Sequence, residues 1–414
     1  MKNNSKRTLR LVAAILVVIS MTASLSSCFL FDFGFSYGDY IPDFEYDDNQ
    51  GGNQLIPGTG NTTNDEITSE NYGEFYPGSG QGNTENLTPL TKTMLSTVTI
   101  ICSNNLTSSA GSGIIYSIDK TKGDAYIITN QHVVHNTKKI EIFLYGMQLA
   151  PYSILATYVG GSVTYDIAVL KIEGSEVLKN SYACAAEFAD SDKLRVYDRV
   201  YAVGNPEGSG LSATEGIISV ESENISITGA DGSLVSMRVM RIDAAVNHGN
   251  SGGGLYDENE RLVGIVSAKE VSEDIDNMGY AIPSNLVKSV AKSIIRQCNG
   301  SSVTKISKAL MGITITAYVS GLEIGEDGSV YQVDLVEVIE ISGGSLAEGK
   351  VQVGDFINSI TVDGIKRDVT RVHHVTDAML EAQSCSSVVL NITRDGKTMN
   401  LTFSISSANM STVK

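Results

Sequence analysis

Three short segments carry residue types that could perform nucleophilic catalysis. Thr129-Asn130-Gln131-His132-Val133-Val134 supplies an imidazole. Tyr165-Asp166-Ile167-Ala168-Val169-Leu170 supplies a carboxylate, and Gly249-Asn250-Ser251-Gly252-Gly253-Gly254 supplies a hydroxyl set among glycines. A serine hydroxyl is a weak nucleophile at neutral pH. It needs a neighbouring imidazole to take its proton, and the imidazole needs a carboxylate to hold its tautomer. Ser251, His132 and Asp166 are therefore the candidate nucleophile, base and orienting acid of an acyl transfer. Among the five histidines, His373 and His374 fall far downstream, His135 would need a different register, and His248 shares the nucleophile segment, where an exposed structural role is expected.

The elements that must hold these groups are short strands. Residues 91–298 contain β-type runs at close spacing, including Val98–Cys102, Ala125–Thr129, Ile167–Ile172, Val235–Ile242 and Leu262–Ser267, separated by Gly/Asn/Asp/Pro turns. Many short strands with few helices imply barrels or sandwiches. Ser284–Gln297 has helical spacing, with Leu286, Val287, Val290, Ala291, Ile294 and Ile295 on one side and Ser284 as the expected cap. Residues 306–407 form a second unit of strands with a helix near Val375–Ala382. The chain order His, Asp, Ser is that of the chymotrypsin-type double β-barrel, and differs from the orders in subtilisin and the α/β-hydrolases.

Over 414 residues the net charge is −17; residues 1–28 contribute +4 and residues 29–90 contribute −11, which leaves −10 on residues 91–414. An acidic surface disfavours nucleic acid as a partner. The amino terminus runs from basic Lys2–Arg10 through apolar Leu11–Ile19 to Leu25-Ser26-Ser27-Cys28, the order of a secretory signal. Its end resembles a bacterial lipobox, which implies lipidation at Cys28 and an extracytoplasmic, lipid-anchored chain at the cell membrane. The competing reading is an uncleaved transmembrane signal anchor. Residues 29–90 read as a disordered acidic tether rich in Gly and Asn. The tether begins with Phe29, Phe31, Phe33, Phe35, Tyr37 and Tyr40, aromatics suited to a membrane interface. Cys102, Cys184, Cys298 and Cys385 lack metal-type spacing and are expected as buried free thiols. No metal and no cofactor are expected.

The segments resemble the HtrA/Deg family of serine proteases over about residues 91–407. Thr129–Val134 resembles the family's histidine segment, Asp166–Ile172 its acidic segment, and Asp243-Ala244-Ala245-Val246-Asn247 the run into its nucleophile loop. Gly279-Tyr280-Ala281-Ile282-Pro283-Ser284-Asn285 resembles the segment before its closing helix. Ser345–Ile360 and Val388–Lys397 resemble a PDZ domain. His248 and Gly254 depart from the family pattern, where Pro, and Pro or Ala, are usual. The implied fold is mostly β: a chymotrypsin-like double barrel over 91–298, then an α+β PDZ domain over 306–407.

The resemblance implies a serine endopeptidase for protein quality control, with unfolded or misfolded proteins as substrates and a homotrimer as its assembly. The amides of Gly249 and Ser251 would form the oxyanion hole. Ala245, six residues before the nucleophile, would floor the substrate pocket and favour small or medium apolar side chains. Ile265, Val266 and Ser267 would pair with substrate backbone, and Gly279 and Tyr280 would wall the pocket. Met311-Gly312-Ile313-Thr314 would form the PDZ loop that captures peptide C-termini, and Val375, Ala378, Met379 and Ala382 would either wall its groove or serve as core. The rival readings are a catalytically silent PDZ adaptor or chaperone and a narrow-specificity processing protease.

Overall fold

The computed structural model describes residues 91–414, apart from residues 106, 148–149, 209, 268–277, 326–327 and 329. The signal segment, Cys28 and the tether lie outside the described residues. No helix among the described residues is long and apolar enough to cross a membrane.

Two closed barrels of six strands follow one another. The first comprises β1 (Thr97–Ser103), β2 (Ser108–Asp119), β3 (Asp124–Thr129), β4 (Lys139–Leu144), β5 (Ile154–Ser162) and β6 (Ile167–Ile172), closed in the order β1-β2-β3-β6-β5-β4. The second comprises β7 (Arg199–Gly204), β8 (Ser212–Thr228), β9 (Leu234–Ile242), β10 (Gly254–Tyr256), β11 (Leu262–Ser267) and β12 (Gly279–Pro283), in the order β10-β11-β12-β9-β8-β7. Closure leaves no strand without a neighbour on each side.

Strand periodicity explains why two barrels stay together. Successive side chains on a strand point to opposite faces. On β6, Ala168, Leu170 and Ile172 fill the first barrel, whereas Ile167 and Val169 face a core shared with the second. On β11, Val263 and Val266 enter the second barrel's interior, and Leu262 and Ile265 join the shared core. Helix α1 (Ser284–Gln297) covers that core with Leu286, Val287, Val290, Ala291 and Ile294. Its apolar face is the expected one, but its cap is not. Pro283 occupies the N-cap, and Ser284 lies inside the helix with its hydroxyl donating to the Ala189 carbonyl at 2.8 Å.

The C-terminal unit has its own core. β13 (Ile306–Ala309) precedes a sheet of β14 (Ile313–Ile324), β15 (Val330–Ile341), β16 (Phe356–Val362), β18 (Ser387–Arg394) and β19 (Lys397–Ser404); β17 (Ile365–Asp368) pairs β16, and β20 (Met410–Val413) returns to β13. Helix α2 (Val372–Glu381) packs on it. Val375, Ala378, Met379 and Ala382 are all buried in this core, so the groove-wall alternative for them gives way to the core one. The thiols are free as expected, yet only Cys102 is buried; Cys298 and Cys385 are exposed because each follows a helix or turn at the surface.

Ile294 on α1 is fully buried in the shared core. Ile294→Ala should lower stability by about 2–5 kcal/mol, read as a lower urea midpoint at unchanged slope.

Candidate active site

His132 rides on a single helical turn, Gln131–Val134, directly after β3. Asp166 immediately precedes β6, which pairs with β3, so the sheet itself brings the two together. The Asp166 carboxylate grips His132 twice. Its Oδ2 lies 2.7 Å from Nδ1, and its Oδ1 accepts the His132 backbone N–H at 3.0 Å. This grip assigns the Nδ1–H tautomer to a neutral imidazole and leaves Nε2 as the acceptor. Asp166 is 3% exposed. Its φ of 50° lies in the left-handed region, which costs a non-glycine residue about 1–2 kcal/mol. The bond from Asn130 Nδ2 to the Asp166 carbonyl, at 2.9 Å, helps hold that conformation. Burial pushes the neighbouring Tyr165 phenol up to about 12, so it stays neutral.

The candidate nucleophile stands on the other barrel. Asn247–Asn250 closes as a turn through Asn250 N–H donating to the Asn247 carbonyl at 3.0 Å, with Gly249 at φ 94°. A positive φ at the third residue of such a turn defines type II and favours glycine there. Gly252, at φ 83°, follows Ser251. A methyl on Gly252 would strike the Ser112 carbonyl, the Thr129 hydroxyl and the Asn130 amide.

Ser112, on β2, ties the barrels together at this point and was not foreseen from the sequence. Its N–H donates to the Ser251 carbonyl at 2.8 Å, and its hydroxyl donates to the Gly249 carbonyl at 2.8 Å. The same hydroxyl accepts from the Asn205 N–H at 2.9 Å, and its carbonyl accepts from Thr129 Oγ1 at 2.7 Å. Ser112 is fully buried. The sequence signal was the run Gly111-Ser112-Gly113: side chains at both glycines would collide, with Val133 at Gly111 and with Ile100 and Ile127 at Gly113.

The expected substrate-contacting residues divide. Ala245 is exposed beside the nucleophile turn, with its carbonyl accepting from Thr214 Oγ1 at 2.8 Å. A methyl on Gly279 would press on Ile242 and Val246. Ile265 and Val266 cannot serve as the pairing edge. Both are buried, and β11 is already paired on one side by Gly252, Gly253 and Gly254 and on the other by β12. Ser267, the last residue of β11, pairs with Tyr280 on one side, and its buried hydroxyl has no partner among the described residues. Tyr280 packs its side chain into the shared core at 8% exposure and is no pocket wall. In the C-terminal unit, Met311 is buried in the core, Gly312 turns at φ 77°, and Ile313 and Thr314 begin the edge strand β14.

Two closed barrels with a histidine–aspartate pair on one and a serine turn on the other define the trypsin-like class of hydrolase fold. The family described as the trypsin-like peptidase domain matches residues 111–265. The Do-like serine protease HtrA of Lactobacillus helveticus is 30% identical over 307 residues, covering 71% of this chain and 68% of that protein. The Do-like serine protease HtrA of Lactococcus lactis subsp. cremoris (strain MG1363) is 38% identical over 213 residues, 50% of this chain and 48% of its own length. A solved HtrA-type protease, AlgW with a tripeptide, superposes at a TM-score of 0.50 with 26% identity, over 77% of this chain and 95% of that one. The chain belongs to the HtrA/Deg family of serine proteases. It spans about half the length of the Lactococcus lactis relative and about two thirds of the Lactobacillus helveticus one.

Ser112→Ala removes the donor to Gly249 and the acceptor for Asn205. It should destabilise the chain by about 1–3 kcal/mol, measured by chemical denaturation, while Ser108→Ala on the exposed start of β2 should change little.

Proposed function

We propose that this chain is an extracytoplasmic serine endopeptidase that cleaves unfolded proteins through an acyl-enzyme. The observation that carries this reading is the double hold of Asp166 on His132, across from a serine turn pinned by Ser112. His132 Nε2 takes the Ser251 proton as Oγ attacks the scissile carbonyl. The oxygen that gains charge is received by the amides of Gly249 and Ser251. A type II turn favours this role, because its central peptide is flipped relative to a type I turn, and the Gly249 carbonyl is drawn inward by Ser112. The imidazolium then gives its proton to the leaving amine, and water releases the acyl group by the same steps in reverse. Asp166 stabilises the imidazolium without being protonated.

Ala245 and Gly279 bound a pocket for small or medium apolar side chains, since the expected floor position carries Ala245 and not an acid. Substrate backbone adds beside Ser267. The C-terminal unit serves as a PDZ-type domain, in which a peptide adds to the free edge of β14 and its carboxylate is caught near Met311–Thr314. The edge position of β14 supports this. Lipidation at Cys28, trimer formation and a quality-control role on misfolded proteins complete the proposal, and they rest on the signal-like amino terminus and on the family.

In a casein degradation assay, Ser251→Ala should be inactive, and Asp166→Asn should lower kcat by on the order of 10⁴. Activity retained by Ser251→Ala would overturn the nucleophile assignment. Cleavage of a peptide library should fall after Val, Ala or Leu; predominant cleavage after Arg would refute the pocket.

A further inference from the structure

A second cluster of histidine and carboxylate lies away from the proposed active site, where the barrels meet the C-terminal unit. Asp192 sits on a helical turn (Ser191–Lys193) of the barrel domain, and His373 and His374 open α2. His373 Nε2 is 3.8 Å from Asp192 Oδ1, and His374 Nε2 is 3.6 Å from Asp192 Oδ2. One ligand atom from each of the three residues lies within 4.8 Å of the others. These separations are too long for hydrogen bonds. They are close to the spacing of about 3.3 Å that ligands adopt around a four-coordinate zinc ion with arms of about 2.0–2.1 Å.

We propose that Asp192, His373 and His374 form a binding site for a divalent transition metal ion of the zinc class. The surroundings are arranged as such a site requires. His374 Nδ1 lies 3.2 Å from the Asp368 carbonyl and accepts from the Thr370 N–H at 3.3 Å in one tautomer; in the tautomer that donates to Asp368, the Nε2 lone pair is left for a metal beside Asp192. Asp192 is oriented in turn by Asn285 Nδ2, which donates to its Oδ2 at 3.0 Å. Both imidazoles are largely buried. Three arginines stand nearby, with bonds to groups other than the three ligand side chains. Arg238 pairs with Asp377, Arg371 pairs with Glu221 and Asp334, and Arg195 bonds the Asp192 and Leu194 carbonyls while lying over the Tyr331 ring. The ion pairs of Asp192 among the described residues are those with the two imidazoles. The three ligands border a cavity of about 60 Å³, room for a water in the fourth position. The sequence expectation of no metal rested on cysteine spacing and local motifs, and these ligands come from separate domains. A bound ion would clamp α2 to the barrels.

The test is cobalt and zinc binding by the tag-free full chain after treatment with chelator. We expect one Co²⁺ per chain, with visible absorption bands of a low-coordinate site, and a higher melting temperature with Zn²⁺. Asp192→Asn and His374→Gln should each weaken binding at least tenfold. His132→Ala and the pair Cys298→Ser/Cys385→Ser, which remove the other histidine–carboxylate pair and the exposed thiols, should leave it intact. Far-UV circular dichroism of the metal-free variants checks that they fold. The proposal fails if the parent takes up no stoichiometric metal, or if folded Asp192→Asn and His374→Gln bind as tightly as the parent.

Discussion

The arrangement of the site depends on one buried serine that is not proposed to touch substrate. The imidazole and its acid belong to the first barrel, and the nucleophile turn belongs to the second. Two closed barrels have no shared strand to set their register. Ser112 supplies that register through its amide to the Ser251 carbonyl and its hydroxyl between Gly249 and Asn205. Because Ser112 is fully buried and Asn205 nearly so, a slip of one barrel would leave buried polar atoms unpaired, at a cost of about 1–3 kcal/mol each. The shared apolar core beneath α1 supplies attraction between the barrels, but it is non-directional. Hydrogen bonds at Ser112 convert that attraction into a defined geometry.

Within this frame, three left-handed backbone positions lie beside the groups proposed for chemistry. Asp166 holds a left-handed backbone that few residues accept, and Gly249 and Gly252 turn through positive φ on both sides of Ser251. Each strained position is held by specific partners: Asn130 at Asp166, Ser112 at Gly249, and the Val266 carbonyl at Gly252, whose N–H reaches it at 2.9 Å. Glycine at the nucleophile turn is a packing requirement as well as a conformational one, since Gly252 lies against the Ser112 carbonyl and Thr129 hydroxyl.

The sequence was most legible where chemistry and structure are both local. The His132, Asp166 and Ser251 segments each announce themselves within six residues, and the apolar face of α1 follows from helical spacing. Features that depend on tertiary pairing were not legible. The resemblance implies a substrate edge at Ile265 and Val266, and a strand's own sequence cannot tell one paired on both sides from one left open. Tyr280 read as a pocket wall, yet its ring turns inward, since the face a strand residue takes depends on barrel register. Ser112 was hidden because its partners come from three other segments. The Asp192–His373–His374 cluster was hidden in the same way, as its members meet only when two domains pack.

Catalysis by this site requires Ser251 to be an activated nucleophile. The most direct measurement is labelling of the folded chain with a fluorophosphonate, read by intact mass and peptide mapping. The account predicts a single adduct on Ser251, lost when His132 is replaced by Ala. No adduct under conditions where unfolded protein is also present, or an adduct that persists in His132→Ala at the parent rate, would contradict it.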